Sequence, residues 1–126
     1  MPDQPTAVAG TVAFAALLQA LCVAVADRPS RADAAARGDY AQNRWAALHD
    51  GPRAKLVHPY RREVVPAARL AEELLELVRE PARELGTIDL LEPLDPTGCE
   101  ADRQLEIGRA EGLDAVCADL AERTLG

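Results

Sequence analysis

From Val8 to Ala26 the chain is apolar with only Gly10, Thr11 and Gln19 interrupting. That run predicts a first helix from about Ala7 to Ala26, with Thr6 placed to cap its opening turn. Its large apolar residues do not form one stripe. Phe14, Leu17, Leu18, Leu21, Cys22, Val23 and Val25 go most of the way round the helix. A helix apolar on all sides has to be covered on all sides, and a short chain has few elements left to do so. Arg28-Pro29-Ser30 breaks the run, and Ser30 can cap a second helix from about Arg31 to Leu48, interrupted or loosened at Gly38 and closed by Asp50-Gly51-Pro52. Lys55-Leu56-Val57-His58 and Glu63-Val64-Val65 flank a turn at Pro59 to Arg62, which reads as a short hairpin or two extended pieces around a turn.

Beyond Pro66, a residue suited to a helix's first turn, the pattern changes character. Ala67, Leu70, Ala71, Leu74, Leu77, Val78 and Leu85 recur with the 3.6-residue period of an amphipathic helix. Glu72, Glu73, Glu76, Glu80 and Glu84, with Arg69, Arg79 and Arg83, fill its other face and read as solvated. Pro81 is expected to kink or restart this helix, and Gly86 to end it. Leu90, Leu91 and Leu94 suggest one helical turn, and Asp95-Pro96-Thr97-Gly98 a loop. A further helix covers about Glu100 to Ala110. Gly112 breaks it, and Leu113, Val116, Cys117 and Leu120 stripe a last one. The fold class expected is mostly α, with five or six helices and one short β-hairpin, over residues 1–126 as a single partial domain.

Composition agrees. Ala and Leu dominate, and Phe14, Tyr40, Trp45 and Tyr60 are the only aromatics among 126 residues. Few β-branched residues favour helix over strand. The net charge of −7 is unevenly placed. Residues 1–65 carry eight basic and six acidic side chains, a balance of +2, while residues 66–126 carry six and fifteen, a balance of −9. So acidic a half is poor material for a nucleic-acid surface, which needs clustered Lys and Arg.

Cys22, Cys99 and Cys117 are an odd number without CxxC spacing, which argues against a disulfide framework or a zinc site. Cys22 and Cys117 sit among apolar residues and are expected as buried, reduced thiols. The apolar run ends in Ala24-Val25-Ala26, as a signal peptide would, but Met1 to Thr6 contains an acid and no base. A helix buried in protein is the better reading, and the cytoplasm the expected location.

Catalytic motifs fail one after another. There is no Gly-rich phosphate loop, no G-x-S-x-G and no H-E-x-x-H. His49 and His58 are expected as surface histidines. No catalytic residue and no metal ligand is assigned. Two strings stand out. Asn43-Arg44-Trp45 holds the only Trp, and Gly98-Cys99-Glu100-Ala101-Asp102-Arg103-Gln104 places an Asp-Arg-Gln cluster at the start of a helix after a Gly loop. Arg103 there offers a planar fork of donors for a carboxylate or phosphate. The residues alone favour the plainer reading, in which Asp102 caps or neutralises the helix start while Arg103 and Gln104 tether a neighbouring element.

The order Asp3-Gln4-Pro5-Thr6, the long apolar helix with Leu17-Leu18-Gln19-Ala20-Leu21, then Asn43-Arg44-Trp45, resembles the type 2 glutamate–cysteine ligases, also called carboxylate–amine ligases. Leu56-Val57-His58-Pro59, Val65-Pro66-Ala67, Glu84-Leu85-Gly86 and Gly98 to Gln104 continue the resemblance. It covers essentially this whole chain but only about the last third of a family member. It implies part of an ATP-dependent, glutamine-synthetase-like ligase that phosphorylates the γ-carboxylate of glutamate, after which an amine such as that of cysteine displaces phosphate. ATP and Mg²⁺ are implied for the complete enzyme and none for this chain, because the family's metal-binding strands lie upstream. Arg44 and Arg103 become candidate substrate-binding residues; Asn43, Trp45, Gly98, Asp102 and Gln104 become a structural motif. The chain departs from the family's pattern at Ala46 and Ala47, where basic residues commonly follow the Trp. The resemblance implies the missing ligase portion as partner, with self-association through the first helix when that portion is absent. Two other readings remain: a non-enzymatic helical interaction module, and a membrane-anchored acidic domain.

Overall fold

A computed structural model describes residues 7–26, 28 and 34–125. Thr6 and Ser30, the expected helix caps, lie outside them. Five α-helices and one antiparallel hairpin are present among the described residues. They are α1 (Val8–Val25), α2 (Ala34–Asp50), β1 (Lys55–Val57), β2 (Val64–Pro66), α3 (Ala67–Glu84), α4 (Glu100–Glu111) and α5 (Leu113–Leu125). Single 3₁₀ turns follow α2 at Gly51–Arg53 and α3 at Ile88–Leu91. The expected fold class is the one observed.

The core lies where α1 crosses α3. Ala13, Ala16 and Ala20 are the buried residues of α1. Their small side chains let the two backbones approach, so that Ala16 and Ala20 pack with Val78 and Ala82 of α3 and with Leu91. Leu17, Leu21, Ile88 and Leu94 close the edges. Only Val78 brings a larger side chain to complete burial; Leu70, Leu74 and Leu77 of α3 are half-buried.

Neither Gly38 nor Pro81 divides its helix. α2 runs through Gly38 without interruption. One interior Gly costs about 1 kcal/mol relative to Ala, which an Ala-rich helix docked on the hairpin absorbs. α3 likewise does not restart at Pro81 but continues to Glu84, without the backbone N–H that proline lacks. Its end is a Schellman closure. Gly86 takes φ 68°, its N–H donates to the Arg83 carbonyl at 3.0 Å, and the Thr87 N–H donates to the Ala82 carbonyl at 2.8 Å.

The hairpin pairs Lys55 with Pro66, Leu56 with Val65 and Val57 with Val64. It joins α2 to α3 and packs on α2. Downstream, Gly112 at φ 90° reverses the chain between α4 and α5, which pack on each other.

The thiols are a correction. Cys22 and Cys117 are exposed, as is Cys99. Both sit on helix faces left uncovered among the described residues, so apolar neighbours in sequence did not bring burial.

Candidate functional site

Asn43 fastens α2 to the hairpin. Its side-chain amide donates to the Val57 carbonyl at 2.8 Å and its Oδ1 accepts the Val57 N–H at 2.7 Å. One carboxamide thus satisfies both polar groups of a strand residue, as a neighbouring strand would. With Asn43 turned inward, Arg44 and Trp45 turn out. Trp45 is 66% exposed and stacks on His49 one helical turn later, with ring centroids 5.2 Å apart. Arg44 is exposed and pairs with no acidic side chain among the described residues.

The second string opens α4. Cys99 occupies the N-cap position without a capping side-chain bond. Asp102, one turn on, accepts from Arg53 Nη1 at 3.0 Å and from Cys99 Sγ at 3.4 Å. Those bonds, Arg53's first, hold the Asp102 carboxyl below the usual carboxylate range. Arg103 donates through Nε to Asp119 of α5 at 3.2 Å and likewise lowers the Asp119 carboxyl. Gln104 is half-buried. Gly98 lies close against the Asp95 side chain, which would have to shift for any larger residue. The Asp95 carboxylate binds the Thr97 N–H and hydroxyl at 2.8 and 2.7 Å, and a Cβ on residue 98 would lie 2.7 Å from Asp95 Oδ2.

The two strings are not brought into one cavity. An open groove of about 870 Å³ runs between α1, α3, the end of α2 and the start of α4. Gly98, Asp102 and Arg103 line one side, and Leu48, His49 and Arg53 another, above an apolar floor of Phe14, Leu17, Leu74 and Leu75. Asn43, Arg44 and Trp45 are outside that lining.

The expectation of two surface histidines holds for His49, which is exposed and bonded to Asp50 at 2.9 Å, and fails for His58, which keeps only 7% of its surface. The N–H groups of Tyr60 and Arg61 both donate to His58 Nδ1 at 3.1 Å. An atom receiving two donors acts as acceptor, which leaves Nε2 to carry the ring proton toward Glu73 Oε2 at 3.1 Å. Arg61 Nη2 reaches Glu73 Oε1 at 3.0 Å. Arg61 first and His58 second hold the Glu73 carboxyl below its usual range. Glu73, expected on the solvated face, is therefore half-buried and engaged. The available signal was local: a His just before Pro59 in a tight turn, with free backbone donors following.

Among the described residues no group of three or more His, Cys, Asp or Glu side chains is placed to hold a metal ion.

The family profile described as "Glutamate-cysteine ligase family 2 (GCS2)" matches residues 1–118. The chain belongs to that family. A protein of Sorangium cellulosum (strain So ce56), named "Putative glutamate--cysteine ligase 2", is 33% identical over 87 residues, which is 66% of this chain and 23% of that protein. The match thus spans less than a quarter of the relative's own length. No solved structure matches. For a glutamate–cysteine ligase family 2 chain, these residues provide helices, one hairpin and two anchored motifs, with no convergent cation site among them.

Proposed function

We propose that this chain supplies a helical segment of an ATP-dependent glutamate–cysteine (carboxylate–amine) ligase and depends on the remainder of that ligase for catalysis. The observation that carries the reading is α1. Between Val8 and Val25 it has no charged residue, and Val8, Val12, Leu18 and Val23 are exposed. A helix of this composition calls for a second apolar layer, which the ligase's sheet would provide. Apart from its match to the family, α1 is long and apolar enough to cross a membrane by length and composition. Its close packing on α3 favours the protein interior, with the cytoplasm as location and no nucleic-acid partner.

Within that assembly we assign Arg44 a substrate-side role, because its guanidinium is exposed, has no acidic partner among the described residues and matches a carboxylate's geometry. Arg103 is a second candidate, released only where a substrate carboxylate displaces Asp119. In the complete ligase ATP and Mg²⁺ would supply activation of the glutamate carboxyl. The groups in this chain bind and orient.

Phosphate release from ATP in the presence of Mg²⁺, glutamate and cysteine tests the reading. The chain alone is expected to give background release, and addition of the complementary ligase portion to give glutamate-dependent release that Arg44→Ala lowers. Glutamate-dependent release by the purified chain alone would overturn it. A helical interaction module without ligase chemistry would show no release in either case.

A further inference from the structure

We propose that α4 and α5 form a self-contained flap that swings about the Pro96–Cys99 loop and opens or closes the groove over α1 and α3. The hairpin is internally complete. Arg123 pairs with Glu100, one contact being 2.7 Å, and Arg103 pairs with Asp119, so each helix of the antiparallel pair donates to the other. Gly108 faces Val116, whose Cγ2 lies 3.4 Å from where a Cβ on residue 108 would sit.

Toward the rest of the molecule the opposite holds. α4 has no buried residue, and beyond their mutual packing α4 and α5 meet the other elements only sparsely. Among the described residues one ion pair, Arg53 to Asp102 at 3.0 Å, crosses from the turn after α2 to the start of α4. It is the latch. Between the two parts lies the groove, with Phe14, Leu74 and Leu75 on the floor and Leu105 on the α4 wall. Leu105 is itself exposed. Apolar surfaces that face each other across open space gain by coming together, so closure brings Leu105 over Leu75 and expels water from the floor. The turn that Asp95 makes around Thr97 and Gly98 fixes the hinge on its body side.

The test reads distance, so its outcome is independent of whether the ligase reading stands. Nitroxides are placed on Cys117 of α5 and on Glu76→Cys of α3, in a Cys22→Ser, Cys99→Ser background, and the distance distribution is measured by pulsed electron resonance. A reference pair within the body uses Cys22 and Glu76→Cys, with Cys99 and Cys117 changed to Ser. The flap predicts two populations for the first pair and one for the reference. Exposed ion pairs are weak, so Arg53→Ala should shift the flap's population ratio about twofold or more, with Asp102→Asn doing the same. A single narrow distribution for the first pair, unmoved by Arg53→Ala, overturns the proposal. So does equal broadening of both pairs, which would mean general loosening.

Discussion

α1 and α3 are both eighteen residues long and pack against each other, yet their outer faces are opposites. α3 turns Glu72, Glu76, Arg79, Glu80 and Arg83 to water and ties them in pairs three residues apart: Arg69–Glu72, Glu76–Arg79 and Glu80–Arg83. Such pairs add little stability, but they mark a surface that needs nothing further. α1 turns out Val8, Val12, Leu18 and Val23, with Leu18 59% exposed. Covering side chains of this kind is worth roughly 1.5–3 kcal/mol each. The contrast separates a helix whose outer face is already polar and paired from one whose outer face stays apolar, and the proposed place in a larger ligase rests on that difference.

The largest effect should come from breaking the face the two helices share. Val78→Asp puts an unpaired charge into the fully buried contact and should cost more than about 3 kcal/mol, so that the cooperative thermal transition followed by circular dichroism disappears. Val78→Ala should cost about 2 kcal/mol. An unchanged melt for Val78→Asp would move the core elsewhere.

Next in size is the clamp between the hairpin and α3. His58→Ala removes the acceptor for two backbone donors and should cost about 1–3 kcal/mol, with faster hydrogen exchange at the Tyr60 and Arg61 amides. His58→Asn, which keeps an acceptor near Nδ1, should recover part of that protection. Equal exchange in all three proteins would remove His58 from this role.

A smaller effect is set by pH. Glu73, Asp102 and Asp119 all have folded carboxyl groups held below their ordinary range. Their contribution is present above the ordinary carboxylate values near pH 4 and is lost as pH falls through the lower folded values. The midpoint of thermal unfolding should therefore decline as the solution is taken from about pH 5 toward pH 3, and Glu73→Gln should flatten the decline. A midpoint that rises on acidification would contradict the assignment.

Helices whose faces are set by their own residues were legible in the sequence. The 3.6-residue stripe of α3 and the hairpin around Pro59 to Arg62 follow from local pattern, and so do the stops at Gly86 and Gly112. The misreadings concern what neighbours do. His58 is buried by Glu73 and by two backbone donors of its own turn, a coincidence across α3 that spacing does not announce. Cys22 and Cys117 carried an apolar context, but exposure depends on which side of a helix finds a partner. Gly38 has helix-breaking chemistry that the tertiary contact of α2 with the hairpin overrides. Asn43 and Arg103 stood out by residue type, whereas their partners Val57 and Asp119 emerged only with the fold. The substrate roles proposed for Arg44 and Arg103 come from the family pattern and not from convergence, since the groove takes in Arg103 and leaves Arg44 outside.

The smallest expected change in stability belongs to the outer face of α1. Val12→Gln with Leu18→Gln should alter the free energy of unfolding by less than about 0.5 kcal/mol per site, because neither side chain belongs to the α1–α3 core. Their effect on association should be large, which makes sedimentation velocity the most direct measurement of the central claim. The unmodified chain is predicted to sediment as concentration-dependent oligomers, and the Val12→Gln, Leu18→Gln variant as a monomer with the same melting curve. A well-behaved monomer for the unmodified chain at high concentration would contradict the account, because the outer face of α1 would then need no cover.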